Sequence, residues 1–510
     1  MGLVAGVDSS TQSCTVVLYD ADSRARLAVA SAAHVSTTPP VSEQDPESWW
    51  QAFGQALTRA CALARCTPSA ISAISIAAQH HGLVALGPDA EVLRPAKLWN
   101  DTTSAPQAER LLRLVGPAEW VRRTGSVPTS AFTVTKLAWL AEREPVAFER
   151  MTMALLPHDW LTLQLTGVPV TDRADASGTG YFDPVADVWC EELLAHIDPH
   201  RDWLSQLPEV RGPQAAAGLA CTERAAAIGL TSDTLVGPGT GDQSAAALGL
   251  GIELGDVVIS LGTSGVVTGL SPRQVANTAG LVNGTASASG SFQPAVITLN
   301  AAKVTDTFAR LLAVDQESFA GLALAADRHE HRRPILVPYL DGERTPNRPF
   351  ARGVLADLGS AATREELALC VVEGVVLGLL QGRQALADTG MPMNGRLLVT
   401  GGAANSAAYR QVLASLSGEP VHMPSAEGDA MSARGAAVQA AAVLFGAPVG
   451  QIASAWAPKL RVVADPQPGD RGYAAERNAR YSTVNSVSSQ LDRPPDINGS
   501  EISSVQGPRA

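Results

Sequence analysis

Short apolar runs alternate with polar turns along the chain, and two of these units look alike. Leu3 to Val7 is an apolar, β-type run, DSSTQS (Asp8 to Ser13) is a small polar turn, and CTVVLY (Cys14 to Tyr19) resumes the β pattern. Much later VVISL (Val257 to Leu261) leads into GTSG (Gly262 to Gly265) and then VVTGL. Setting Thr11 against Thr263 aligns the turns at an offset of 252 residues, close to half of the 510-residue chain. The pattern predicts one strand–turn–strand unit opening each half, with chance likeness of short Ser/Thr/Gly turns as the competing explanation.

Between these units the period changes. Glu47 to Ala64 places Trp50, Phe53, Leu57, Ala60 and Cys61 at helical spacing. Ile71 to Gln79 reads as a buried strand with a polar tip, Phe132 to Arg143 and His158 to Thr166 as helices. Leu235 to Gly241 runs from a strand into a glycine-rich turn, and Ser244 to Leu250 begins a helix. Arg364 to Thr389 reads as one long helix whose Gly374, Gly378 and Gly382 share a face, a spacing that close helix packing explains. Leu397 to Gly402 is a strand into a glycine turn, followed by a helix from Ala404 to Leu416. Alternating strands and helices in both halves predict two α/β domains. From Ser482 to Ala510 the chain is rich in Ser, Pro, Asn, Gln and Gly, and this stretch is expected to be a disordered tail.

Composition narrows the partners. Hydrophobic residues are 45% and charged residues 17%, a globular balance. With 38 basic and 50 acidic residues the formal charge is −12, which argues against nucleic acid as a partner but leaves room for a small anion held locally. The six cysteines form no CxxC pair and read as apolar fillers in a reducing compartment. MGLVAGVDSS lacks a basic leader, and Gly435 to Pro458 reads as a buried helix and its exit rather than a membrane span. The expectation is a soluble, cytoplasmic protein without a membrane partner.

Candidate chemistry sits at the turns. DSSTQS and GTSG present backbone N–H groups suited to phosphate oxygens, and two such turns in equivalent positions suggest a clamp on a polyphosphate. Asp8 beside the first turn is a candidate Mg²⁺ contact, through water. No Walker A sequence and no HRD or DFG pattern is present, so nucleotide binding requires another fold. Asp242 in GTGDQSA is open to two readings, a helix N-cap or a general base. QHHG (Gln79 to Gly82) stands at the strand end where α/β proteins place ligands. Trp99, Asn100 and Asp101, and the segment Asp172 to Gly180, add polar groups. The triplet His329 to His331 lacks HExxH spacing; with Arg332 and Arg333 it reads as a solvated loop, not a metal site.

In this order the segments resemble the FGGY carbohydrate kinases, and within them the xylulokinase branch. The matching landmarks are GVDSSTQS, SEQDPESWW (Ser42 to Trp50), QHHG, RPAKLWND (Arg94 to Asp101), LLPHDWL (Leu155 to Leu161), DASGTGYFD (Asp175 to Asp183), GTGDQSA, SLGTSG (Ser260 to Gly265), PYLDGERTPNRP (Pro338 to Pro349), VTGGAANS (Val399 to Ser406) and GDAMSARGAA (Gly428 to Ala437). They cover roughly residues 3 to 445.

The resemblance implies a two-domain actin-like, ribonuclease-H-like ATPase fold with a cleft between the domains and a disordered C-terminal tail. The expected division is 1–250 for the sugar-binding domain, 251–465 for the nucleotide-binding domain, and 466–510 for an extension largely disordered from about 482. It implies transfer of the γ-phosphoryl of MgATP to O5 of D-xylulose, with ATP and Mg²⁺ as cofactors. On matching positions Asp242 falls on the catalytic base and Asp8 on the Mg²⁺ and phosphate side. His80 and His81 fall on the sugar pair, and Asp101 is expected to hydrogen-bond sugar hydroxyls. Thr11, Gln12, Gly262, Thr263 and Ser264 fall on the phosphate turns, and Gly401, Gly402 and Asn405 on the adenosine side. With Asp175, these acids are candidates to line the cleft. A homodimer is left open. Two departures stand out. His80 replaces a common Met, which leaves ribulose, a hexulose, gluconate or a polyol as alternative substrates. Ser9 and Ser10 replace an apolar residue and Gly, which questions the backbone angle of the first turn. The alternative outside metabolism is an actin-like chaperone, filament subunit or regulator.

Overall fold

The computed structural model describes residues 2–275, 277–328, 333–425 and 430–492. Two mixed sheets built on the same four-strand core organise it, and they differ in the chain order of their last two strands. In the N-terminal half, strands β1 (Leu3–Ser9), β2 (Ser13–Asp20), β3 (Arg26–Ala33), β4 (Ile71–Ala78), β5 (Gly218–Leu219) and β6 (Leu235–Val236) lie in the order β5-β6-β4-β1-β2-β3. In the C-terminal half, β7 (Val257–Leu261), β8 (Gly265–Gly269), β9 (Ala295–Thr298), β10 (Leu397–Thr400), β11 (Val421–Pro424) and β12 (Leu460–Ala464) lie in the order β9-β8-β7-β10-β11-β12. Each first strand pairs antiparallel with the second and parallel with the fourth. The first strands end at Ser9 and Leu261, so the 252-residue offset is a repeat of architecture.

The sequence explains the elements. Helix α1 (Pro46–Ala64) starts where the Asp45 side chain accepts the Glu47 N–H at 3.0 Å and Pro46 occupies the first turn. It buries Trp49, Trp50, Phe53, Leu57, Ala60 and Cys61 against the first sheet and stops at Arg65, which turns left-handed at φ 55°. Helix α2 (Asp242–Leu250) follows the glycine-rich turn at the end of the N-terminal half. Helix α3 (Arg364–Asp388) begins with a reciprocal cap between Thr363 and Glu366 and packs on the second sheet. Its glycine face meets strands as well as a helix: a Cβ at Gly374 would strike the Leu336 carbonyl, one at Gly382 would crowd Val296, and Gly378 faces Tyr481.

Helix α4 (Met431–Phe445) belongs to the second half in sequence but lies on the first sheet, where a Cβ at Gly6 would overlap the backbone of Ala433 and Ala437. It also crosses α2 so closely that a Cβ at Gly435 would overlap the Ala245 carbonyl. The two halves therefore share an interior, in which Val4, Val17 and Tyr19 meet Ala437, Val438 and Trp456.

Two expectations are corrected. The tail boundary near 482 falls inside helix α5 (Asp470–Ser488), which is followed by a turn over Ser489–Leu491. Tyr473, Arg477 and Tyr481, four residues apart, form its buried face. The rest of the expected tail, 493–510, lies outside the described residues, as does His329 to Arg332. Arg333, expected in a solvated loop, is wholly buried and donates to Glu373 at 2.9 Å; Tyr473 and Arg477 reach the same carboxylate. A charged residue survives such burial because its partner is buried with it.

Candidate active site

Strand β4 is buried almost throughout and delivers Gln79, His80 and His81 at its C-terminal end. His81 sits at φ 65°, a left-handed conformation that costs a non-glycine residue energy and marks functional turns. Its Nδ1 lies 2.6 Å from the Gly178 carbonyl, so Nδ1 carries the proton and Nε2 is left as an acceptor. The ring stacks on Phe132 with centroids 4.8 Å apart. Burial, then the nearby charges of His80, Lys136 and Arg344, hold His81 well below the usual histidine range, so it is neutral.

The GTGD turn brings Asp242 beside this pair. Gly239 turns left-handed at φ 79°, and a Cβ at Gly241 would strike the His80 ring. Gly241 is the N-cap and Asp242 the first residue of α2, so the Asp242 carboxylate is not the cap; it lies at the positive end of the helix. His80 Nε2 is 3.6 Å from Asp242 Oδ1 and His80 Nδ1 is 2.6 Å from Asp175 Oδ1. Burial alone would lower the His80 pKa, but Asp175 and Asp242 raise it to about 9. The Asp242 pKa is raised by burial, with the His80 charge opposing and Asp175 adding to the rise.

A second histidine stands behind Asp175. His158 Nε2 lies 3.3 Å from Asp175 Oδ2 and 3.1 Å from Asp159 Oδ1. Asp172 fixes the turn by accepting the N–H groups of Ala174 and Asp175 and the Thr240 hydroxyl. Asp175 is wholly buried and belongs to this supporting network rather than to the cavity wall.

Around Asp242 is a cavity of about 200 Å³ lined by His80, His81, Trp99, Phe132, Thr11, Ser264 and Arg344. A larger one, about 580 Å³, is lined by Ser260, Thr400, Gly401, Asn405, Met423 and Ser432. Gln243, Thr268 and Gln293 line both, so the two cavities share a wall one residue from Asp242. Thr11 is set by the Trp99 indole N–H, which donates to its hydroxyl at 2.9 Å. Ser10 adopts no left-handed angle, and its hydroxyl donates to Asp8 at 2.7 Å. Burial, together with the charge of Asp242, pushes the Asp8 carboxyl up to about 7. Asp8 itself lines neither cavity. A carboxyl raised by the charge of a second one suits a divalent cation, which takes one or two carboxylates alongside phosphate oxygens.

Other expected residues lie apart. Asp101 is wholly buried and lines neither cavity; its oxygens are taken by the Ser42 N–H, the Thr103 N–H and hydroxyl, and Lys97 Nζ at 3.1 Å. This removes it from direct sugar contact. Gln12 is exposed and lines neither cavity. Gly262 and Thr263 form the β7–β8 turn, where Gly262 N–H donates to the Ser264 carbonyl at 3.0 Å, and of the three only Ser264 reaches a cavity wall. Gly402 opens the turn after Gly401 without lining the larger cavity. Sequence reasoning assigned no role to Trp99, Gln243 or Arg344, although all three fall inside the quoted motifs.

Comparison with known proteins decides the family. The model for the N-terminal domain of the FGGY family of carbohydrate kinases matches residues 3–249, and that for the C-terminal domain matches residues 257–444. The chain belongs to the FGGY family of carbohydrate kinases. It is 40% identical to the xylulose kinase of Streptomyces coelicolor over 457 residues, covering 89% of this chain and 90% of the relative. It is 41% identical to the xylulose kinase of Streptomyces rubiginosus over 457 residues, with the same coverage. The crystal structure of xylulose kinase from Bifidobacterium adolescentis superimposes with a TM-score of 0.80 at 35% identity, covering 94% of this chain and 99% of that one. This FGGY chain is therefore a two-domain actin-like carbohydrate kinase that uses ATP. Among the described residues no helix is long and apolar enough to cross a membrane.

Proposed function

We propose that this FGGY kinase transfers the γ-phosphoryl of MgATP to O5 of D-xylulose in the cytoplasm, with Asp242 as the base. The observation that carries the reading is the pair of adjoining cavities: the smaller, sugar-sized one holds Asp242 and His81, and the larger one holds Gly401 and Asn405. The name shared by the relatives supports D-xylulose over ribulose, a hexulose, gluconate or a polyol. The six free thiols suit a reducing compartment.

O5 closes the furanose ring of a pentulose, so a free O5 means the open-chain ketose. Asp242 accepts the O5–H hydrogen bond and aims that oxygen toward the shared wall. In a loose phosphoryl-transfer transition state the proton leaves late, so orientation counts as much as basicity. His81 Nε2 accepts from another hydroxyl, and Phe132 and Trp99 wall the site against water. Ser264 and the Thr11 turn face the phosphates from opposite halves. Asp8, with the charge of Asp242 near it, would hold Mg²⁺, which would supply positive charge to the transferring phosphates.

The test is ADP release with D-xylulose, D-ribulose, L-ribulose, gluconate and glycerol side by side. D-Xylulose is expected to give the highest kcat/KM; a clear preference for gluconate or glycerol overturns the substrate. Asp242→Asn is expected to lower kcat about 10²–10⁴-fold while ATP still binds.

A further inference from the structure

The segment Leu340 to Pro349 of the C-terminal half is held from both sides. Glu343 and Arg348 exchange backbone hydrogen bonds at 2.9 Å. The Glu343 carboxylate accepts the Leu299 N–H at 2.6 Å, Asn300 Nδ2 at 2.9 Å and the Arg344 N–H at 2.8 Å. The Arg348 guanidinium is clamped by Asp492 at 2.7 and 2.9 Å and by Asn485. The carboxylate next to Arg344 is thus committed to backbone and amide donors, and the backbone carrying Arg344 is fixed.

Arg344 itself, half-buried, is treated differently from the buried arginines of this half. Arg333 and Arg477 are both met by Glu373. Among the described residues, the Arg344 guanidinium has no side-chain hydrogen bond and no ion pair, and its Nη2 is buried without a partner. Burial lowers its pKa only to about 10, so it is charged at neutral pH. It lines the smaller cavity together with His80, His81 and Asp242. A half-buried guanidinium with one nitrogen shut off from water and no protein acceptor gains from an oxygen-bearing ligand in the cavity.

The cavity's chemistry says which oxygen. Asp242 is an acceptor and His81 presents an acceptor nitrogen, so both take hydroxyl protons. A guanidinium only donates. The one acceptor-only group of an open-chain ketose is its carbonyl oxygen. We propose that Arg344 is a specificity-determining sugar contact, supplied by the C-terminal half, that donates to the carbonyl end of the ketose while Asp242 holds the reacting hydroxyl.

This inference rests on the ketose-kinase reading above. Wild type, Arg344→Lys and Arg344→Gln are compared for kcat and KM with D-xylulose, with each of the two epimeric pentitols made by reducing its carbonyl, and with ATP; melting temperature is read alongside. Arg344→Gln is expected to raise the ketose KM about 10-fold or more, to shrink the ketose-over-pentitol ratio of kcat/KM, and to leave the KM for ATP within about 2-fold. Arg344→Lys is expected to recover part of the ketose preference, and it carries the comparison if the Gln variant does not fold. An unchanged ketose-over-pentitol ratio, with both substrates falling together, overturns the proposal and makes Arg344 a structural residue. A wild-type enzyme that does not phosphorylate D-xylulose sinks the ketose reading itself, before any variant is compared.

Discussion

His80 stands between two carboxylates, with Nδ1 2.6 Å from Asp175 and Nε2 3.6 Å from Asp242. The imidazolium, held to about pH 9, is the positive charge facing a half-buried Asp242 whose pKa is already raised. Asp242 accepts a proton only when ionised. In His80→Met that compensating charge is gone, so the Asp242 pKa rises further and the carboxylate is neutralised at a higher pH. The acid limb of kcat/KM for the sugar is expected to move up by about 1 pH unit or more. Rates from pH 5 to pH 9 check this, and an unmoved limb means that His80 does not control Asp242.

Asp101 is expected to matter for stability instead of sugar affinity. Although burial alone would raise its pKa, the bonds from Thr103 and Ser42 and the charge of Lys97 hold it below the ordinary value. A depressed carboxylate stabilises the fold above its unfolded pKa and loses that contribution as pH falls through the folded one. Asp101→Asn leaves Lys97, also wholly buried, short of a charge partner, though Glu43 at 2.9 Å remains. A loss of about 3 kcal/mol is expected, with the D-xylulose KM within about 3-fold of wild type. Denaturant unfolding and sugar kinetics on the same preparation separate the two roles; a large KM rise at unchanged stability would restore direct contact.

What the sequence showed and hid follows from how local each signal is. The α1 stripe of Trp50, Phe53, Leu57, Ala60 and Cys61 is periodic within one element, and the repeated turns need only two short segments to be compared. QHHG and GTGD could be found as motifs because glycine marks the close approach of Gly241 to His80. Asp101 could not be placed, because its burial depends on Ser42, 59 residues away. Helix α5 was hidden because its buried face is Tyr473, Arg477 and Tyr481, which a count of aliphatic residues passes over. The role of Arg344 depends on a cavity to which both halves contribute, which no single segment encodes.

Gly435 is expected to be a packing requirement that reaches the active site. It lies where α4 crosses α2, and a Cβ there would overlap the Ala245 carbonyl, three residues along the helix that begins with Asp242. Backbone cannot give way as a flexible side chain can, so Gly435→Ala must push the helices apart. Overpacking of this kind costs about 1–3 kcal/mol or more. The variant is expected to melt earlier and also to lose kcat, because Asp242 moves with α2. Wild-type kcat in a folded Gly435→Ala protein would show that the crossing does not set the position of Asp242.

The C-terminal extension is expected to support the sugar site through Arg348. Asn485, Ser488 and Asp492 clamp its guanidinium, and Arg348 is bridged by backbone to Glu343, next to Arg344. A chain ended at residue 481 keeps the contacts of Glu373 with Tyr473 and Arg477 but loses every one of those Arg348 partners. Compared with a chain ended at residue 492, it is expected to show a lower melting temperature and a raised D-xylulose KM with the ATP KM unchanged. A chain ended at residue 469 removes Tyr473 and Arg477 as well, leaving Glu373 and Arg333 without their cover, and is expected to lose about 3 kcal/mol or more or to fail to fold. Thermal melts and kinetics with each substrate read the three lengths together. Equal sugar kinetics in the chains ended at 481 and 492 would separate the Arg348 clamp from sugar binding and leave the extension a purely structural role.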